Sequence, residues 1–272
     1  RQGLGRPYLS DSFMDMVEVA LDEAKRHGLS VHLYDEYPYP SGVAGGMVIL
    51  GQPQYMATRL VQRAWDLPGG PVRLLLPRGK VLSCVAYPVG DRGVEWDRGI
   101  DLLSSTGVLL TEESYVETGL TQYNRKRYFA SEPVPVLETT LPSGPHRLYV
   151  SVQALVEGHK YWDGFVDVLN PRAVAEFVRL THERYRARFS HAFGREIHSI
   201  FLDETEPGWS ERIPGAFLEK YGYDLLPLLP ALADANHPQH LKVAKDLHDL
   251  RYDLFIEAFE GPISRWCQKH GI

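Results

Sequence analysis

Apolar and polar positions follow the same order in two separate stretches of the chain. In the first, apolar residues recur at helical spacing over 10–27 and predict a helix, with Ser10 at its N-cap and Gly28 at its C′ position. The apolar run 29–34 then predicts a strand. This strand ends at an adjacent pair of acidic residues, and a loop rich in proline and glycine follows.

The second stretch repeats this order of helix, strand and acidic loop. Asn170-Pro171 predicts the start of a helix, with asparagine as N-cap and proline at the first helical position. The apolar residues at 197–202 predict a strand, again followed by acidic residues. Further helices are predicted over 214–221 and 238–270, and Pro262 is expected to kink or split the second of them.

Two helix–strand units that each end in an acidic loop are typical of an α/β barrel or a doubly wound sheet. Both folds bind their ligands at the carboxyl ends of the strands. No glycine-rich phosphate-binding motif follows either strand, which argues against a nucleotide site.

Between the units, residues 72–76, 81–87 and 148–156 predict strands. We interpret them as a β-rich insertion, which either shapes a substrate cleft or forms a separate small domain.

Composition narrows the classes of function. The chain of 272 residues has a formal net charge of -6 and a pI of about 6.0, and neither value indicates a basic surface for nucleic acid. No stretch approaches the ~20 consecutive apolar residues of a membrane-spanning helix. The two cysteines, Cys84 and Cys267, form neither a disulfide framework nor a metal-binding spacing. The sequence therefore predicts no nucleic-acid or membrane partner and requires no cofactor.

The first candidate site follows the first predicted strand. Asp35 and Glu36 are adjacent there and are followed by Tyr37 and Tyr39. Aromatic faces stack on the C–H groups of sugar rings, while carboxylates accept hydrogen bonds from the hydroxyl groups. This grouping predicts a sugar-binding site, and the alternative is a solvated acidic turn with packed tyrosines.

The second candidate site contains Asp203, Glu204 and Glu206, directly after the second strand. Crowded carboxylates repel one another, so one is expected to retain a proton, as a general acid requires. Glycoside hydrolysis needs such an acid and a second carboxylate. A divalent cation site and simple surface acidity are the alternatives. Trp209 lies just beyond, where it either stacks on a sugar or packs at the rim of the fold.

Four segments carry a resemblance to a known family. They are VHLYDEYPYPSGVAGG at 31–46, VDVLNPRAVAEFVRLTHERYRARF at 166–189, IFLDETEPGW at 200–209 and FLEKYGYDLLPLLPAL at 217–232. Taken in order, they resemble large bacterial glycoside hydrolases similar to the α-L-rhamnosidases of glycoside hydrolase family 106. The resemblance covers the two outer parts of the chain and is poor in the middle.

The resemblance implies a (β/α)8 barrel and inverting hydrolysis by two carboxylates, with bound Ca2+ as an option. By position, Glu204 is the expected general acid, and Asp167 and Asn170 would end the strand between the two acidic strands. The expected substrate-binding residues are Asp35, Glu36, Tyr37, Tyr39, Asp167, Asn170, Asp203 and Trp209. The family pattern more often reads Phe-Thr-Asp-Glu-Pro where this chain has Phe201 to Thr205, a difference expected to alter the loop.

We therefore predict an α/β fold containing a partial (β/α)8 TIM barrel. Residues 1–48 would form the first part of the barrel, 49–160 the β-rich insertion and 161–272 the continuation of the barrel. The opening segment RQGLG and the final helix indicate an excerpt of a longer protein. The second catalytic carboxylate is accordingly expected beyond Ile272, in the remainder of that chain.

The predicted function is that of a bacterial glycosidase acting on an oligo- or polysaccharide. Two alternatives stay open. One is a non-catalytic carbohydrate-binding barrel, and the other is a metal-dependent hydrolase with Asp203, Glu204 and Glu206 as cation ligands. The sequence fixes neither the sugar nor the compartment.

Overall fold

The computed structural model describes residues 5–34, 37, 39–118, 126–157 and 164–272, with the backbone alone for 111–118 and 126–132. It has a mixed α/β structure. The helices are α1 (Asp11–His27), α2 (Pro171–Leu180), α3 (His182–Phe189), α4 (Arg212–Tyr221), α5 (Leu229–Ala233), α6 (His240–Phe255) and α7 (Gly261–His270). The strands are β1 (Val31–Tyr34), β2 (Thr58–Leu67), β3 (Gly70–Leu75), β4 (Lys80–Gly90), β5 (Gly93–Val94), β6 (Ile100–Asp101), β7 (Thr106–Thr118), β8 (Lys126–Leu141), β9 (His146–Leu155) and β10 (Ile197–Phe201).

The chain divides into two compact units. The first unit consists of Arg1–Thr58, Leu155–Ala216 and His248–Ile272, and the second consists of Arg59–Ala154 and Phe217–Leu247. The strands of the described residues form three sheets, and none of these sheets closes into a barrel. None of the described helices is both long and apolar enough to cross a membrane.

The first unit is organised around two parallel strands. β1 pairs directly with β10, so Tyr34 lies opposite Phe201 at the carboxyl ends of both strands. The predicted helix before β1 is confirmed as α1, with the Ser10 side chain accepting from the Phe13 amide and Gly28 in the left-handed conformation. The strands and helices enclose an apolar core that contains Leu9, Met14, Leu21, Leu33, Tyr185, Phe189, Ala192 and Ile197.

The helix predicted to begin at Asn170-Pro171 is present but broken into α2 and α3. Asn170 accepts a hydrogen bond from the Arg172 amide, which confirms the predicted cap. The break follows from Thr181, whose hydroxyl donates to the carbonyl of Phe177 at 2.7 Å. A side chain that bonds the carbonyl four residues back bends a helix, and α3 begins at the next residue.

One predicted strand is wrong. Residues 164–170 form no strand, and no strand separates β1 from β10. This segment instead bonds to the residues before β2, since the Ala57 amide donates to the Phe165 carbonyl at 2.7 Å. Asp167 then turns the chain, because its carboxylate accepts from the Leu169 amide at 3.0 Å. Asp167 and Asn170 therefore lie in a turn that leads into α2, and not at the end of a strand.

The long C-terminal helix is interrupted close to Pro262, as expected. α6 ends at Phe255, a π-helical segment covers Ile256–Glu260, and α7 begins at Gly261. Proline has no amide hydrogen for the helical ladder, which explains why the regular α-helical pattern fails just before it.

The second unit contains the other two sheets. One has the strand order β2-β9-β4-β5 with β6 on β4, and the other has the order β3-β8-β7. The strands predicted at 72–76, 81–87 and 148–156 correspond to β3, β4 and β9. Its apolar core contains Leu76, Cys84, Ala86, Leu102, Leu137, Leu141, Leu148, Val150 and Val152. Both Cys84 and Cys267 are free thiols.

Candidate functional site

The loops that follow β1 and β10 are joined at Ser41. The Ser41 amide donates to the carbonyl of Asp203 at 3.1 Å, and the Asp203 amide donates to the Ser41 hydroxyl at 3.0 Å. The Thr205 hydroxyl donates to the Ser41 carbonyl at 2.6 Å. Parallel strands end at the same edge of a sheet, so the two acidic loops meet there. Ser41 is buried, and these bonds hold the loops in one arrangement.

The first two of the three acidic residues after β10 each accept a hydrogen bond from a tyrosine of β1 or of the loop that follows it. Tyr34 donates to Asp203 Oδ2 at 2.6 Å, and its ring lies 5.1 Å from that of Phe201. Tyr39 donates to Glu204 Oε2. This bond raises the pKa of Tyr39 to about 12, so the phenol keeps its proton at neutral pH.

Glu204 has an unusual backbone conformation. Its φ of 42° lies in the left-handed region, which a residue with a side chain adopts at an energetic cost. Such conformations cluster at functional sites, where the surrounding contacts enforce them. Here the Ser41 bonds act on the preceding residue, Asp203, and Tyr39 fixes the Glu204 carboxyl group.

Tyr39 and Glu204 border a cavity of about 380 Å3 within the first unit, which we call the carboxylate cavity. Three of its lining residues carry carboxyl groups, and three carry aromatic rings. Its lining consists of Tyr39, Pro40, Ala57, Val156, Phe165, Val166, Asp167, Glu204, Glu206, Gly208 and Trp209. The cavity therefore combines proton-transfer groups with surfaces that can stack on a sugar ring.

Asp167 is the most enclosed carboxyl group of the cavity. Burial raises its pKa above the ordinary value, although hydrogen bonds from the Ser210 hydroxyl at 2.7 Å and the Leu169 amide at 3.0 Å act in the opposite direction. Asp167 therefore holds a proton to higher pH than an exposed aspartate does. Ser210, which is itself buried, fixes the orientation of the group.

Hydrogen bonds from helix α6 also fix the loop that carries Glu204 and Glu206. Arg251 of α6 donates to the carbonyls of Pro207 and, at 3.2 Å, of Gly208. The Trp209 amide donates to the Thr58 carbonyl at 3.0 Å, which fixes the end of the loop. Trp209 is buried apart from the surface it presents to the cavity.

The structure thus places four of the predicted site residues around the carboxylate cavity: Tyr39, Asp167, Glu204 and Trp209. Asp203 does not line the cavity and instead contacts Tyr34 and Ser41. Asn170 does not line the cavity, because its side chain caps α2. Tyr37 lines a different cavity, where it stacks on Tyr8 at 4.7 Å. Asp35 and Glu36 lie outside the described residues.

Sequence reasoning did not identify Ser41, Ser210 or Arg251. Their roles depend on contacts with residues 43 to 162 positions away, and no local pattern marks such contacts. Glu206 was predicted as one of the three clustered carboxylates and as an alternative cation ligand, and it lines the carboxylate cavity with Glu204.

Among the residues that the structure describes, no group of three or more histidine, cysteine, aspartate or glutamate side chains has an arrangement suited to a metal ion. Since Asp35 and Glu36 are not described, the predicted option of a bound Ca2+ stays a prediction.

Comparison with protein-family models and with curated proteins finds no significant match in either.

Proposed function

We propose that this chain carries the general acid of a glycoside hydrolase. The observation that supports the proposal most is the carboxylate cavity, where Asp167, Glu204 and Glu206 face one space together with Tyr39 and Trp209. Glycoside hydrolysis requires paired carboxyl groups around a bound sugar, and aromatic walls bind the sugar through its C–H faces.

Glu204 is the proposed general acid. Its Oε2 accepts a hydrogen bond from Tyr39, which leaves Oε1 to carry a proton toward the oxygen of the leaving group. Because the Tyr39 phenol stays protonated at neutral pH, it donates to Oε2 in both protonation states of the acid. Tyr39 is therefore a positioning residue that fixes which oxygen of Glu204 faces the substrate.

The position of the cavity supports the proposed barrel. It lies beyond the carboxyl ends of two adjacent parallel strands, β1 and β10, which is where (β/α)8 barrels bind their substrates. We propose that the two strands are neighbours in such a barrel. The resemblance to α-L-rhamnosidases makes an L-rhamnose-containing oligo- or polysaccharide the proposed substrate, and inversion the proposed stereochemistry.

The experiment that tests this function is hydrolysis by the complete protein that contains this chain. A panel of aryl glycosides that includes an α-L-rhamnoside is assayed, and the anomer first released is identified by proton NMR. Turnover of at least one glycoside with an inverted product is the expected result. No turnover of any glycoside by the folded protein contradicts the proposal, and a retained product contradicts the proposed stereochemistry alone.

A further inference from the structure

The second unit contains a cavity of about 930 Å3 that the proposed hydrolysis does not use. One side of it is formed by residues 87–98, which include the hairpin of β4 and β5 and the turn after it. The other side is formed by residues 237–239, just before α6. The volume falls in the range of about 300–1,000 Å3 that is typical of small-molecule sites.

Trp96 projects from a turn that directly follows the hairpin. The Glu95 amide donates to the Pro88 carbonyl at 2.9 Å, which anchors the turn to β4. The Arg98 amide donates to the Glu95 carbonyl at 3.0 Å, which places Trp96 and Asp97 at the two central positions. The backbone that carries these two side chains is therefore well defined.

A set of other rings holds the Trp96 indole in place. The indole meets Tyr87 and His237 edge to face, with centroid distances of 5.1 and 4.6 Å, and lies 5.5 Å from Tyr149. Tyr87 and Tyr149 are buried, whereas Trp96 is half-buried and borders the cavity. A ring fixed in this way loses little conformational entropy when a ligand stacks on it.

The opposite wall is fixed by Asp234. Its carboxylate accepts from the Tyr149 hydroxyl and, at 2.9 Å, from the Asn236 amide. His237 Nδ1 accepts from the Gln239 amide at 3.1 Å, and burial lowers the pKa of His237, so its ring is neutral at neutral pH. The Gln239 side chain is exposed at the rim.

Polar groups surround the indole at the mouth of the cavity. Asp91, Arg92 and Asp97 are exposed, and within the described part of the chain their side chains form no hydrogen bond or ion pair. Glu95 and Arg98 form an ion pair with each other at 2.5 Å. The lining thus has three carboxylates against two guanidinium groups, a balance that favours an uncharged ligand over a strongly charged one.

We propose that this cavity, the Trp96 cavity, is a second carbohydrate-binding site. A neutral sugar residue of an oligo- or polysaccharide would stack on the indole, and its hydroxyl groups would bond to Asp91, Arg92 and Asp97. Binding here requires no catalysis. The site would bind the protein to a polysaccharide whether or not the carboxylate cavity is occupied.

The test is affinity electrophoresis in native gels that contain one of three uncharged polysaccharides: soluble arabinoxylan, mixed-linkage β-glucan or galactomannan. The complete protein is used as its Glu204→Gln variant, so that no hydrolysis alters the gel. Retardation by at least one polysaccharide is expected. Trp96→Ala is expected to weaken binding about fivefold or more, because truncating a central aromatic contact removes much of the affinity of a site. Trp96→Phe keeps a stacking ring and is expected to retain most of the binding.

Asp91→Ala combined with Asp97→Ala is the second variant, since both residues are exposed and their loss leaves the aromatic packing intact. It is expected to weaken binding as well, while Asp22→Ala, an exposed aspartate of the first unit, is expected to bind as the parent does. No retardation by any of the three polysaccharides overturns the proposal, and so does undiminished retardation of both Trp96→Ala and the double variant. Binding that depends on Trp96 in a protein without glycosidase activity would support this site and contradict the proposed function.

Discussion

Ser41 and Asp203 exchange two hydrogen bonds although 162 positions separate them in the chain. The Ser41 hydroxyl accepts one of them, and its amide donates the other. Because these bonds join the loops after β1 and β10, they bring Tyr39 to Glu204. The proposed acid is therefore positioned by contacts between loops as well as by the parallel strands beneath them.

Ser41→Ala is expected to destabilise the protein by about 1–3 kcal/mol and to lower glycosidase activity. The substitution leaves the Asp203 amide without its acceptor in a partly buried setting, and an unsatisfied donor has a cost of this size. Urea unfolding and kcat/KM check the two effects. Ser30→Ala, at an exposed serine of the same unit, is the control and is expected to change neither. Equal stability of Ser41→Ala and wild type would contradict the role of this bond.

Tyr39→Phe is expected to lower kcat/KM by about 10-fold or more while the fold stays intact. It removes the hydrogen bond to Glu204 Oε2 and frees the Glu204 carboxyl group to rotate. The loss should appear mainly in kcat, because the phenol positions the acid. Tyr252→Phe, at an exposed tyrosine of α6, is the matched control. Wild-type activity in Tyr39→Phe would exclude Tyr39 as a positioning residue.

Asp167→Asn is expected to lose activity and yet to be at least as stable as wild type at neutral pH. Burial raises the folded-state pKa of Asp167 above its ordinary value of 3.8. The stability that the group contributes is therefore fully present below that ordinary value and is lost as the pH rises through the folded-state pKa. Asparagine does not titrate and therefore avoids this loss. Its side-chain oxygen can still accept from the Leu169 amide, and its NH2 group can contact the Ser210 hydroxyl.

Urea unfolding at about pH 7.5 and about pH 4 measures this effect, with Asp22→Asn as the exposed control. The stability advantage of Asp167→Asn should shrink at the lower pH. A variant that is less stable than wild type at the higher pH would mean that the hydrogen bonds of Asp167 outweigh its burial.

His182 is expected to make the first unit sensitive to acid. It is fully buried, its Nδ1 bonds to the Thr181 hydroxyl at 2.8 Å, and its Nε2 has no partner among the described residues. Burial lowers its pKa from 6.5 to about 4. Between these values the unfolded chain binds a proton that the folded protein excludes, so stability falls as the pH drops through this window, by about 3 kcal/mol in total.

His182→Phe keeps a ring against Phe177 and Trp266 and removes the titrating group. Its free energy of unfolding should fall less than that of wild type between about pH 7 and about pH 4.5, whereas the exposed His191→Gln should behave as wild type. The same acid-induced loss in His182→Phe and wild type would show that other groups cause it.

Local signals in the sequence were sufficient to predict where several helices begin. The caps Ser10 and Asn170 and the spacing of apolar residues predicted the starts of α1 and α2, because capping and periodicity involve neighbours in the chain. The acidic loops after β1 and β10 were also predicted as site segments, because their acidic residues directly follow the two apolar runs in the chain.

Other features depend on contacts that the sequence does not display. The short apolar run at 166–169 has the composition of a strand, but Asp167 bonds to the Leu169 amide and turns the chain. Ser210 and Arg251 are ordinary polar residues in sequence, and only the fold brings them to Asp167 and to the loop after Glu204.

The most direct test of Glu204 as the general acid compares two leaving groups in the Glu204→Gln variant of the complete protein. A natural sugar leaving group needs a proton from the acid, whereas 2,4-dinitrophenolate departs without one. We expect a loss on the order of 10²–10⁴ in kcat/KM for the sugar leaving group and a much smaller loss for the dinitrophenyl glycoside. Glu260→Gln, at an exposed glutamate of the same unit, should match wild type with both. An equal loss for the two substrates, or no loss for either, would contradict the assignment of Glu204 as the general acid.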